Sequence, residues 1–421
     1  MTAPAAALKA ALRSPLLPFW LVVALLPFGR SAELGTILCT IGTLLLLMRH
    51  PGALREHSGA SLLLWLLACY VSAALFSAFQ SVAPGKSWTT VLALLRYAPL
   101  GVYACFAIRR YERLHALYMA VAVVIGLWAL DAWMQMLTGW SLRGHAEAVR
   151  ISGIFGAEDL KLGPVLAVLS PFALWGAWQR WGLRGLVVAF LVLLGPVLLA
   201  GSRSAWLCYA LVALAFAWRA SSPRGFALVC GVGVIVLALA GSVAWKTSER
   251  FESRMERTLA AFSGSEQGLD EALSGRLDIW RTSARMIAAH PLDGVGVRGF
   301  RYAYPQYAPV NDHFVVAESY GVGEGACHAH QIVLEILTET GVIGLLLWLA
   351  GVVLAWRAWR RVGAAARTRA FPVTVALGVM LFPLNSHLAF YSAWWGLLFA
   401  WLLGLWCAAL FVVPMESGDD A

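Results

Sequence analysis

Long apolar runs separated by short basic clusters cover most of this chain, and one polar stretch interrupts them. Runs near the ~20 residues that cross a bilayer as a helix fall at 16–31, 33–49, 60–80, 88–108, 114–137, 163–179, 184–201, 203–219, 225–245, 330–356, 371–390 and 392–414. They predict an all-α polytopic membrane protein with about twelve transmembrane helices. From 246 to 329 the chain is polar for roughly 85 residues, too long for a connecting loop in a compact bundle. Three parts follow: residues 1–245 with spans one to nine, a large loop at 246–329, and residues 330–421 with spans ten to twelve and the C-terminus. Inside the loop, Leu273, Leu277, Trp280, Ala284 and Ile287 share one face over 273–289, which predicts an amphipathic helix lying along the membrane interface.

Charge gives the sidedness. Lys9, Arg13, Arg49, Arg55, Arg109, Arg110, Arg113, Arg180, Arg184, Arg219, Arg224, Arg357, Arg360, Arg361, Arg367 and Arg369 all fall between spans on one side, whereas the opposite short loops hold Arg30, Lys86 and few others. By the positive-inside rule both termini are cytoplasmic, and the 246–329 loop, the 138–162 loop and Arg203 face outward. The same clustering explains the net charge of +9 without a nucleic-acid partner. With 13% charged residues the chain lies far below the ~25% of soluble domains. Six of the seven cysteines lie in apolar runs and Cys327 stands alone in the loop, so neither a disulfide framework nor a metal site is expected. The first apolar run follows Lys9 and Arg13 without a small-residue cleavage site, as in a retained span rather than a signal peptide.

The ionisable chemistry gathers on the outward side. Arg150 opens Arg150-Ile-Ser-Gly153-Ile-Phe155-Gly156, and Arg203 sits in Gly201-Ser-Arg203-Ser between two spans. Arg276 lies in Ser274-Gly-Arg276-Leu-Asp-Ile-Trp280, followed by His290-Pro-Leu-Asp-Gly294-Val-Gly296. Span ten opens on Cys327-His328-Ala-His330-Gln331, with Glu335, Glu339, Gly341 and Gly344 further along. The chain has no nucleotide-binding loop and no Asp-x-Asp pair, so a group-transfer substrate must arrive already energised, most simply on a lipid carrier. Guanidinium groups suit a pyrophosphate leaving group because they offer paired donors to its oxygens. A histidine suits the activation of an acceptor hydroxyl. Such a set needs neither cofactor nor metal.

In this order the motifs resemble the O-antigen ligase and polymerase superfamily: a Ser-Arg at a span start, a Gly-Arg and a His-Pro-x-x-Gly-x-Gly in the large loop, then a His opening a span with Gly-x-x-Gly beyond it. The resemblance covers the C-terminal half and hardly touches the first 140 residues; Gln331 stands where relatives often carry Asn. It implies a GT-C-like membrane glycosyltransferase of the bacterial inner membrane that takes glycan from undecaprenyl pyrophosphate at the periplasmic face. A ligase passes it to a lipid A-core sugar; a polymerase passes it to another lipid-linked repeat. A protein O-glycosyltransferase is a further variant, and a polytopic transporter the competing class.

On this reading His330 is the base, Arg203 and Arg276 hold the pyrophosphate with Arg150 as a third candidate, and His328, Arg298 and Gln331 are possible supports. Structural alternatives stand beside these. Arg203 could be an interfacial anchor and Arg276 an ion-pair partner of Asp278 or Glu271. His328 reads better as structural, and His290 as shaping the His-Pro turn. Arg96 and Asp131, inside spans four and five, are expected to pair with each other rather than relay protons.

Overall fold

The computed structural model describes residues 14–145, 150–156, 161–247, 275–316, 326–386 and 389–413, with scattered positions between 252 and 273. Each of the twelve apolar runs contains helix, but the eleventh, 371–390, is helical only to Met380 and then turns. The first run gives only α1 (Leu17–Ala24), eight residues or ~12 Å, before the chain leaves helical conformation at Phe28 and Gly29. There follow α2 (Glu33–Arg49) and α3 (Ser58–Ala78). The fourth predicted span is split at Arg96 into α4 (Pro84–Leu94) and α5 (Tyr97–Ala107), and α6 (Tyr111–Thr138) is continuous. Predicted spans six and seven form the two arms of α7 (Leu162–Leu199), which turns at Gly182. Then come α8 (Arg203–Ala220) and α9 (Pro223–Thr247), the loop helices α10 (Leu277–Ala289) and α11 (Phe300–Tyr307), and the closing α12 (Ile332–Arg361), α13 (Ala364–Met380) and α14 (Ala393–Leu410). Among the described residues, seven helical segments are long and apolar enough to cross a membrane on that basis alone. The chain is therefore an all-α polytopic membrane protein.

The last helix is the axis of the bundle. Every residue from Trp395 to Leu410 is buried, as expected of a helix that is apolar all round. It packs on α5 and α13, and Trp401 stacks on Phe19 at 4.9 Å while its indole donates to the Phe19 carbonyl at 2.8 Å. At one end of the bundle the basic clusters meet: Arg219 donates to Thr368 Oγ1, Arg369 donates to the Val412 carbonyl, and Arg110 bridges to Val413. The opposite end carries the α7–α8 turn, the α13–α14 turn, the start of α12 and the loop helices.

Two expectations are corrected. Arg96 does not meet Asp131; it donates to Glu33 Oε1 at 2.9 Å, because the α4–α5 break turns it toward α2. Asp131 instead accepts the Leu142 N–H at 2.7 Å and so anchors a short hairpin, β1 (Trp140–Ser141) and β2 (Gly144–His145), folded back over the end of α6. The buried face of α10 also differs. It is Ile279, Thr282, Ser283 and Met286 that are buried, while Ala284 is exposed. A protein surface, built from α11 and α12, covers that side and outweighs the apolar stripe as the determinant of orientation.

The kink in α12 explains the glycine motifs of the large loop. At Gly341 (φ 63°, ψ −165°) the helix breaks and frees backbone groups that must find partners. Residues 291–296 supply them: Val342 and Ile343 donate to the Pro291 and Leu292 carbonyls, and the Thr338 and Glu339 carbonyls accept from Val295 and Gly296. A Cβ at Gly294 would stand 2.5 Å from the Glu339 carbonyl carbon, and one at Gly341 2.2 Å from the Leu292 oxygen. Only glycine permits this approach. The N-terminal helices brace the same strip, since Ser77 Oγ accepts from Val297 N at 3.0 Å and Ser87 Oγ donates to the Val297 carbonyl at 2.7 Å. The helices α3 and α4, for which the motifs offered no role, thus tie into the loop at Val297.

Candidate functional site

His330 stands one residue before the N-cap of α12, in the left-handed region at φ 56°. A non-glycine residue pays for that conformation with strain, and such strain is found where side-chain aim matters. Gln331 is extended and its Oε1 accepts the Leu334 N–H at 2.6 Å, so the side chain that departs from the family pattern caps the helix. The His330 ring is half-buried, with Nδ1 2.8 Å from the Ser386 carbonyl. A carbonyl only accepts, so Nδ1 carries the proton and Nε2 presents a lone pair. Burial lowers the His330 pKa to about 4; Arg276 lowers it too, against the upward pull of the Ser386 carbonyl. The ring is therefore neutral near pH 7. The His328 ring lies beside it, 3.9 Å between centroids.

Arg276 arrives from the loop. It precedes α10, whose start is fixed by Asp270: the backbone carbonyl accepts from Gly275 N and the carboxylate from Leu277 N, each at 2.9 Å. One turn on, the Trp280 indole donates to the Ala329 carbonyl at 3.1 Å, tying α10 to the residue before His330. Burial and the nearby Arg203 charge pull the Arg276 guanidinium below its ordinary pKa. Arg281 and Arg285 point elsewhere, Arg281 to Asp278 at 3.6 Å and Arg285 to the Tyr307 carbonyl at 2.7 Å. Asp278 is thus engaged by Arg281, and Glu271 lies outside the described residues.

Arg203 is the first residue of α8, where Ser202 caps the helix by accepting from Ala205 N at 3.3 Å. The Arg150 segment lies alongside, because Ile151 N donates to the Leu199 carbonyl in the turn that leads to Arg203. The structure therefore brings Arg203, Arg276 and His330 into one electrostatic neighbourhood and sets the backbone next to Arg150 beside it. Two guanidiniums beside a neutral imidazole are the kind of groups that anion binding next to a base would require. Residues 188–349 match the family described as O-antigen ligase. Over that segment the sequence is similar to this family. The comparison with curated proteins returns no match.

The matched segment takes in Arg203, Arg276, His328, Arg298, His330 and Gln331, while Arg150 precedes it. Within the matched segment Arg298 is engaged with the carboxylates of α12. It too has positive φ (60°), its N–H donates to Glu339 Oε2 at 2.8 Å, and its charge acts on Glu335 and Glu339. His290 Nε2 bonds the Tyr307 hydroxyl at 2.9 Å. The motifs assigned no part to three groups that the fold places around the start of α12: the Ser386 carbonyl, Glu335 and Glu339. Both carboxylates are fully buried, and Glu335 Oε1 accepts the Phe390 N–H at 2.8 Å. The available signal was two glutamates four apart inside an apolar span, a costly placement that calls for partners. Among the described residues no group of three or more His, Cys, Asp or Glu comes together as a metal site would require.

Below this end an almost wholly apolar cavity of about 460 Å³ runs between α3, α12, α13 and α14. Phe390 and Tyr391 line it together with Trp348, Trp356 and Leu377. Phe390 and Tyr391 belong to the same turn that carries Ser386, so the cavity reaches to within one turn of chain of the His330 partner.

Proposed function

We propose that the protein is an O-antigen ligase of the bacterial inner membrane, moving glycan from undecaprenyl pyrophosphate to a sugar hydroxyl of the lipid A-core at the periplasmic face, without a metal. The observation that carries this is the convergence of Arg203, Arg276 and His330 at the end of the bundle opposite the basic clusters. His330 Nε2 takes the proton of the acceptor hydroxyl as its oxygen bonds the anomeric carbon. The bond from that carbon to the pyrophosphate oxygen breaks, and the lipid pyrophosphate leaves with the electron pair. Arg203 and Arg276, with Arg150 as a third donor, neutralise the charge that develops there. The apolar cavity suits part of a polyprenyl chain, with its Phe390–Tyr391 end near the site.

Loss of long lipopolysaccharide bands with accumulation of lipid-linked polymer in a deletion strain is the expected result. Single-repeat bands would instead assign a polymerase, whose acceptor is a second lipid-linked repeat. An unchanged band pattern would overturn both.

One displacement inverts the anomeric carbon. Retention would require a nucleophilic carboxylate close to the second catalytic group. The glutamates nearest in sequence on α12 are Glu335 and Glu339, and both are fully buried and committed to the Phe390 and Arg298 N–H groups. Comparison by NMR of the anomeric configuration in donor and product should show opposite configurations. Matching configurations, or a sugar adduct trapped on any carboxylate, would refute the mechanism.

A further inference from the structure

His330 is aimed by a carbonyl, and a carbonyl is only as well placed as the turn that carries it. Ser386 lies between α13 and α14, and three buried side chains clamp that turn on either side of it. On one side the Asn385 amide donates to the Met380 carbonyl at 3.1 Å and the Val379 carbonyl at 3.4 Å, both in the last turn of α13. On the other, Phe390 is held at both backbone atoms: its N–H donates to Glu335 Oε1 at 2.8 Å, and its carbonyl accepts from the Tyr70 hydroxyl at 2.6 Å. Glu335 sits five residues after His330 on the helix that His330 introduces. Ser386 and Phe390, close in sequence, are thus both tied to the start of α12, Ser386 through His330 and Phe390 through Glu335. A fully buried carboxylate in an apolar span is costly to keep, and Glu335 meets the backbone N–H groups of Phe390 and Tyr391. Ordinary packing at this position would favour an apolar side chain.

We propose that Glu335, assisted by Tyr70, is a positioning residue for the base, fixing the Phe390 end of the turn so that the Ser386 carbonyl holds His330 with its Nε2 lone pair toward the acceptor hydroxyl. This rests on His330 being the base, and it gives the buried glutamate of span ten a role in the reaction without contact with substrate. Displacement of a reacting group by about 1 Å costs on the order of 100-fold, so loss of the clamp should be read in turnover rather than in donor binding.

The test is a set of full-length variants assayed with lipid-linked donor and acceptor. Glu335→Met, which removes the acceptor at similar volume, should lower kcat about 10- to 100-fold with the donor KM unchanged. Glu335→Gln, which keeps an acceptor oxygen, should restore most of it. In a His330→Ala background neither Glu335→Met nor Tyr70→Phe should cause further loss, because a positioning residue has nothing left to position. Tyr70→Phe keeps its ring and carries the same test at smaller amplitude should Glu335→Met fail to assemble. An equal further loss in the His330→Ala background, an effect on donor KM rather than kcat, or no effect in either variant would overturn the inference. A wild-type protein that transfers no glycan, or a His330→Ala variant as active as wild type, would instead sink the reading it rests on.

Discussion

His330→Ala should lower glycan transfer by about 10²- to 10⁴-fold, the range expected when a positioned general base is removed. Donor binding should survive, since the guanidinium groups proposed to meet the pyrophosphate are untouched. Transfer by purified protein and donor retention measured on the same sample separate the two effects. Near-normal transfer by a well-assembled variant would remove His330 from the mechanism. The pH dependence carries an independent sign. Burial and Arg276 depress the His330 pKa to about 4, so in the free protein Nε2 stays available above that pH and is lost as pH falls through it. The acid limb of kcat/KM, which reports free-enzyme groups, should therefore lie near pH 4. Bound pyrophosphate offsets the arginine charge and favours the imidazolium, so the acid limb of kcat should lie higher. Limbs that coincide near 6.5, the ordinary value of histidine, would show that His330 is neither buried nor close to the arginines in the working protein.

Lys in place of Arg276 or Arg203 should impair transfer by about 10- to 100-fold, although the charge is kept. A hydrogen bond to a charged group contributes about 1.5–3 kcal/mol, and about 1.4 kcal/mol is tenfold; an ammonium cannot reproduce the planar, two-pronged contact of a guanidinium with phosphate. The structure adds a reason to expect the larger effect at Arg276. Burial and the Arg203 charge both oppose its protonated state, and lysine gives up its proton far more readily than arginine under such pressure. Arg276→Lys should therefore recover as pH is lowered, whereas Arg276→Gln should not. Wild-type transfer by both lysine variants would mean that charge alone holds the leaving group and would refute the bidentate arrangement. Arg281→Lys is the matched control, since that residue pairs with Asp278 on the exposed face of α10.

The membrane class and the all-α architecture were legible from the chain itself, whereas the twelve apolar runs became seven span-length apolar helices among the described residues. The bilayer imposes a length and an apolarity on every span, and basic residues mark one side; these are local rules that each segment obeys by itself. The principal site candidates were legible for a similar reason. Arg203 and His330 are ionisable residues at the ends of apolar runs, and Arg276 sits on the edge of an amphipathic helix, so each is anomalous where it stands. What these rules do not contain is the partner of a buried polar group. Arg96 chose Glu33 over Asp131, and Asp131 chose the Leu142 N–H, because pairing depends on which helices lie side by side and how a broken span turns. The strip 291–296 threading the break at Gly341, the Ser77 and Ser87 bonds that bring the N-terminal helices to it, and the Ser386 carbonyl that sets the His330 tautomer are likewise contacts between segments far apart in sequence. The chain alone determined which groups are expensive to keep in a membrane; only the tertiary structure decided what satisfies them, since a backbone carbonyl or N–H looks the same at every residue until the fold brings one within reach.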